Sequence, residues 1–144
     1  MITLNQVKSE LELHFKQVDA ILAEMESYLP LSEHDFEDIE KLKTIDSFIL
    51  RFVKIQDRMG EKLFPALLET LGEYKSTMSL IDVLHRLEKL ELIHSSDEWI
   101  DYRKLSNSLT HEYLNNRKEI AEIIKLAVDV YKTMREIYLH MIKR

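Results

Sequence analysis

The sequence predicts an all-α protein, an up-and-down four-helix bundle with an additional short helix. Apolar residues recur at steps of three and four along nearly the whole chain, the spacing of one buried helix face. Glycine and proline number two each in 144 residues, too few for the turns of a hairpin-rich fold. Leu, Ile, Glu and Lys dominate the remainder, a composition that suits long helices. Residues 1–144 read as a single domain, long enough to bury roughly two thirds of its unfolded surface in one core.

Leu4, Val7, Leu11, Phe15, Val18, Leu22, Met25 and Leu29 define a first amphipathic helix that Pro30 ends. Ser32, Glu33 and Asp35 form an acidic helix start, and Ile39, Ile45, Phe48, Phe52, Ile55, Met59 and Leu63 continue the period through the longest helix. Gly60 and Pro65 interrupt that pattern, which predicts a kink or a fresh segment near Pro65. Gly72 reads as a terminator, after which a shorter helix runs from near Ser79 through Leu80, Leu84, Leu87 and Ile93. Ser95 and Glu98 have capping-box spacing and open a further helix. Asn115 and Asn116 break it, and Asn116 with Glu119 starts a last helix from Ile120 to Met141.

Composition narrows the chemistry. Without cysteine there are no disulfides, thiolate metal sites or thiol nucleophiles, which fits a reducing compartment. The N-terminal residues lack a signal pattern and no apolar run approaches the roughly 20 residues of a membrane span, so a cytoplasmic protein without membrane contact is expected. A formal net charge of −6 argues against coating nucleic acid by bulk electrostatics, though not against a local basic site. Glu91 and His94 give one Glu-x-x-His spacing where a di-iron bundle needs two, and His14, His34, His85 and His140 lack zinc spacing; no metal or other cofactor is expected. The last helix interleaves Lys and Arg with Glu119, Glu122, Asp129 and Glu136, a solvated face rather than a membrane-binding one.

The segment from Trp99 to Tyr113 carries the strongest functional signal. Trp99, Tyr102, Leu105, Leu109 and Tyr113 share one helix side, while Arg103, Asn107 and His111, each four residues on, form an adjacent polar stripe. Spacing alone reads His111 first as a helix-end cap or solvated side chain and Tyr113 as a core-edge phenol. The sharper reading makes His111 a general acid or base and Arg103 a bidentate phosphate ligand, with Asn107 between them. Ile100 and Leu114 flank Asn107, and this face suits a two-fold homodimer that doubles the phosphate-binding groups in one cleft. Arg51, Gln56 and Asp57 read by default as surface or inter-helix polar groups and become binding candidates only if folding brings them near His111.

At these residues the chain resembles the HEPN superfamily, in particular the small bacterial proteins paired with minimal nucleotidyltransferases and described as nucleotidyltransferase substrate-binding proteins. The likeness runs over Phe48 to Phe52, Gln56 to Gly60, Lys62 to Pro65, Leu87 to Leu90 and, most specifically, Trp99 to Tyr113. HEPN ribonucleases carry an arginine, four to six residues and a histidine, and the transferase-paired relatives often show an Arg-Asn start and a His-x-Tyr end. Asn107, His111 and Tyr113 match, but Ser106 stands where the arginine is expected, and it supplies no fixed positive charge. The resemblance implies a component of a toxin–antitoxin-type pair that binds a minimal nucleotidyltransferase, with ribonuclease activity weakened or lost and Ser106, Arg51, Gln56 and Asp57 as binding residues. The alternative it implies is an active metal-independent endoribonuclease using His111 with Arg103 or Asn107 on RNA or a nucleotide, silenced by AMP transfer to Tyr113.

Overall fold

The computed structural model describes residues 2–111 and 116–143. Helix α1 spans Leu4–Met25, α2 Ile39–Arg58, α3 Phe64–Thr70, α4 Leu80–Lys89, α5 Ser96–His111 and α6 Arg117–Ile142. Among the described residues there is no strand, and no helix is long and apolar enough to cross a membrane.

Side-chain pairs fix the direction of each neighbour. Arg58 Nε donates to Glu10 at 2.6 Å, Arg51 meets His14, and Thr44 Oγ1 reaches Glu24 at 3.4 Å, so α1 and α2 run antiparallel. Asp57 faces Arg103 and Gly60 faces Trp99, which makes α5 antiparallel to α2. His140 lies 3.0 Å from the Glu91 carbonyl just before α5, and Thr133 and Ile137 pack around Trp99 and Tyr102, setting α6 against α5. The Tyr131 hydroxyl sits 2.9 Å from Asp19 Oδ1 and 3.2 Å from the Phe15 carbonyl, closing α6 onto α1. The four long helices thus make an up-and-down bundle, and α3 and α4 form an end piece.

The helix ends follow local chemistry. Thr3 and Gln6 form a reciprocal capping box on α1, and Ser79 with Asp82 forms one on α4. Ser95 Oγ accepts the Glu98 N–H at 3.2 Å, and Asn116 Oδ1 accepts that of Glu119 at 3.1 Å. Four boundaries differ from the sequence reading, one of them at α4, which ends at Lys89 rather than running on through Ile93. Helix α1 stops at Met25, and the apolar spacing continues to Leu29 only through a short 3-10 turn. Ser32 and Asp35 cap a separate 3-10 turn, Glu33–Glu37, while Asp38 is the true cap of α2, accepting from Glu40 and Lys41.

The third difference along the chain bears on the site: the fresh segment expected near Pro65 is present, but α2 ends at Arg58 rather than continuing to Leu63. Met59–Leu63 is a π-helical turn in which the Phe64 N–H reaches back to the Met59 carbonyl. Pro65 lacks an N–H and its ring crowds the preceding turn, so the chain widens there and continues into α3. Gly72 closes α3 with φ +73°, Glu73 N–H bonding the Leu68 carbonyl and Gly72 N–H that of Glu69. Helix α4 closes the same way, with Leu92 N–H on Leu87 and Glu91 N–H on Glu88, but here the left-handed position is filled by Glu91 at φ 60°. A side chain at that backbone angle is strained, and the buried Leu92 that follows holds it in place. Glu91→Gly is therefore expected to stabilise the protein by about 0.5–1 kcal/mol, read as a raised midpoint in urea unfolding.

Candidate functional site

Helix α5 divides its residues sharply between interior and solvent. Trp99, Ser106 and Leu109 are buried and Tyr102 and Leu105 half-buried, whereas Arg103, Asn107 and His111 are all exposed. The polar stripe is therefore a surface feature, one face over from the core-facing residues. Tyr113 and Leu114 lie outside the described residues.

Trp99 anchors the helix. Its indole packs on Phe64, with ring centroids 4.6 Å apart, and against Tyr102 at 5.8 Å. On the α2 side it fits against Gly60 in the widened turn, where an added Cβ would come 3.2 Å from the indole Nε1. Only glycine leaves this approach unhindered, so the residue that interrupts the helical pattern is also the one that seats the tryptophan.

That contact sets the register that gathers Gln56, Asp57 and Arg103 along one cleft. The cleft has a volume of about 240 Å3, and α4 and the Tyr74–Ser79 connection close its far side. Gln56 is only 3 % exposed, and its Oε1 has no hydrogen-bond partner among the described residues. The Trp99 Nε1 is likewise buried and unpartnered. Asp57 keeps much of its surface in water, yet its carboxyl is pushed above the usual aspartate range, first by desolvation and then by the charge of Glu61; Lys54 and Arg103 oppose the shift.

The other sequence candidates are placed elsewhere. Arg51 turns to α1, its Nη1 3.2 Å from His14 Nδ1, and belongs to neither the cleft nor the stripe. His14 is held below the usual histidine range by burial and then by Arg51, so its neutral ring faces the guanidinium. Ser106 is 2 % exposed, and its hydroxyl has no partner among the described residues. His111 stands eight residues beyond Arg103, about 12 Å along the helix at 1.5 Å per residue. Folding thus joins Arg103 to Gln56 and Asp57, and leaves His111 with Asn107 further along the same exposed row.

Sequence reasoning named Gln56, Asp57 and Arg103 but missed the roles of Gly60 and Trp99 around them. The signal was present: a glycine four residues after Gln56, in a stretch otherwise free of turn residues, implies a close approach by another group. Among the described residues no group of three or more His, Asp or Glu side chains is arranged to hold a metal ion. Comparison of the chain with known protein families, curated proteins and solved structures finds no match.

Two pH effects follow. Because the Asp57 carboxyl binds its proton more tightly in the folded protein than in the unfolded chain, its ionisation opposes folding. Asp57→Asn should raise the melting temperature at pH 7, with the gain shrinking toward zero as pH falls through about 4, where aspartate protonates in the unfolded chain. His14 has the opposite sign: its lowered affinity for a proton means stability is lost as pH falls through about 6.5 and the unfolded chain takes up the proton. His14→Gln should flatten the decline in melting temperature between pH 7 and pH 5.

Proposed function

We propose that this protein is the binding partner of a minimal nucleotidyltransferase, a HEPN-like component of a toxin–antitoxin-type pair whose ribonuclease activity is weakened or lost. The observation that carries the reading is the condition of position 106. Cleavage of a phosphodiester by a histidine needs a fixed cation beside it to hold the phosphate and the developing oxyanion. Position 106 offers a buried serine instead. Arg103, the nearest arginine on the helix, lies about 12 Å from His111 along the axis and faces Asp57 at the cleft. Among the described residues of α5, the imidazole therefore has no guanidinium within one turn of it.

What the α5 row does present is a surface. Continuing the antiparallel register of Asp57 with Arg103 sets the exposed Leu50 and half-buried Val53 of α2 level with Asn107 and Thr110. Apolar groups beside a polar row of mixed hydrogen-bonding capacity suit association with another protein or with a second copy of the chain. Tyr113 follows His111 closely and is the acceptor this reading assigns: its phenol oxygen would attack the α-phosphate of ATP held by the transferase, releasing pyrophosphate and forming a tyrosyl-AMP ester.

A second reading rests on the exposure of the same row. In an isologous homodimer across this face, Arg103 of the partner subunit would approach His111 and restore the missing cation, giving an active endoribonuclease.

The two are separated by assaying the purified protein on RNA beside His111→Ala, and by mixing it with its transferase and ATP. The first reading expects no cleavage above that of His111→Ala, a stable complex with the transferase, and a gain of one AMP in intact mass that Tyr113→Phe abolishes. Cleavage lost in both His111→Ala and Arg103→Ala would establish the second reading, and absence of a complex would defeat the first.

A further inference from the structure

We propose that the cleft between α2, α4 and α5 binds a small uncharged planar molecule that carries a hydrogen-bond acceptor and donor side by side, as a carboxamide or the edge of a nucleobase does. The inference goes beyond the partnership proposed above and requires neither a transferase nor RNA.

The first support is a pair of orphaned groups of opposite kind. Gln56 Oε1 is an acceptor without a donor, and Trp99 Nε1–H is a donor without an acceptor, among the described residues. Both residues are almost completely buried, at 3 % and 1 % exposure, and both line the cleft. A buried polar group left unpaired forfeits its hydrogen bonds to water, so two beside one cavity are a standing penalty that a ligand with the matching pair would relieve. An amide N–H toward Gln56 and an amide carbonyl toward Trp99 satisfy both at once.

The walls select shape and charge. Pro65, Leu80 and Val83 supply apolar surface for the faces of a flat molecule, and the volume of about 240 Å3 suits a single ring system. Asp57 and Glu61 at the rim outweigh Arg103, so the local charge is negative. A phosphate would be repelled, whereas an uncharged donor group finds Asp57 as an additional acceptor. Gly60 packs against the nitrogen edge of the indole, where an added Cβ would come 3.2 Å from Nε1, and so fixes the ring at the cleft wall.

The single tryptophan of the chain makes the test direct, because one indole N–H signal in a proton–nitrogen correlation spectrum reports this site alone. Nicotinamide, uracil and adenine would be titrated, each beside its 5′-mononucleotide. The expected result is a saturable shift of the indole signal by at least one uncharged probe, with dissociation constant near or below about 1 mM, and binding at least about tenfold weaker for the mononucleotide. A response to nicotinamide alone assigns a carboxamide ligand, and a response to uracil or adenine assigns a nucleobase. Gln56→Leu and the volume-conserving Gln56→Met should each weaken binding at least tenfold while raising the melting temperature, a combination that a purely structural glutamine does not give. No saturable shift with any probe up to about 10 mM would overturn the proposal. So would mononucleotides binding as tightly as the uncharged probes, or unaltered binding in both Gln56 variants.

Discussion

The seating of the Trp99 indole against Gly60 is the constraint on which the rest of the functional region depends. It locks α5 onto α2 at one register, and from that register follow the shared cleft of Asp57 and Arg103 and the outward stance of Asn107 and His111. The contact exists because Pro65 disturbs the helix ahead of it. The widened turn places a residue without a side chain where a bulky aromatic ring arrives, and Phe64 supplies the opposing aromatic surface. Truncating an aromatic side chain in such a position costs a protein about 3–5 kcal/mol, a large part of the stability of a domain this size.

The same helix turns two unlike faces to its surroundings. Inward it places groups that are buried without partners among the described residues, the Trp99 Nε1 and the Ser106 hydroxyl, in a mostly aliphatic and aromatic interior. Outward it carries a guanidinium, a carboxamide and an imidazole in water. Folded chains rarely leave buried polar atoms unpaired, because each forfeits its hydrogen bonds to water. Two of them, Gln56 and Trp99, line one cleft and mark where stability is given up locally, and such places recur at functional sites. The proposed partnership concerns the outer face and the proposed ligand the inner cleft, so one helix would serve two recognition events with separate residues.

The helices were legible because their signals are local. Capping residues bond to a backbone three positions away, and apolar spacing records which side of a helix loses its water, so Ser79, Ser95 and Asn116 could be assigned from sequence. Where the reading slipped, a second effect overrode the first. The spacing from Met25 to Leu29 persists through a turn too tight to be α-helical. At Glu91 the chain reverses without a glycine, and burial of Leu92 holds the reversal where no local residue announces it.

By itself the sequence determined the helical class, the order of the helices, most of their caps and the polar stripe on α5, because each of these depends on residues within about two turns of one another. Which of the named polar residues share a site was decided only by tertiary packing. Arg51 and Asp57 sit on the same helix, yet one is drawn to His14 on α1 and the other to the cleft beside Arg103. The burial of Gln56 was equally beyond local reading. Periodicity fixes the face of a helix, but the neighbour that face meets is set by inter-helix register, and here register is set by a tryptophan meeting a glycine 39 positions before it in the chain.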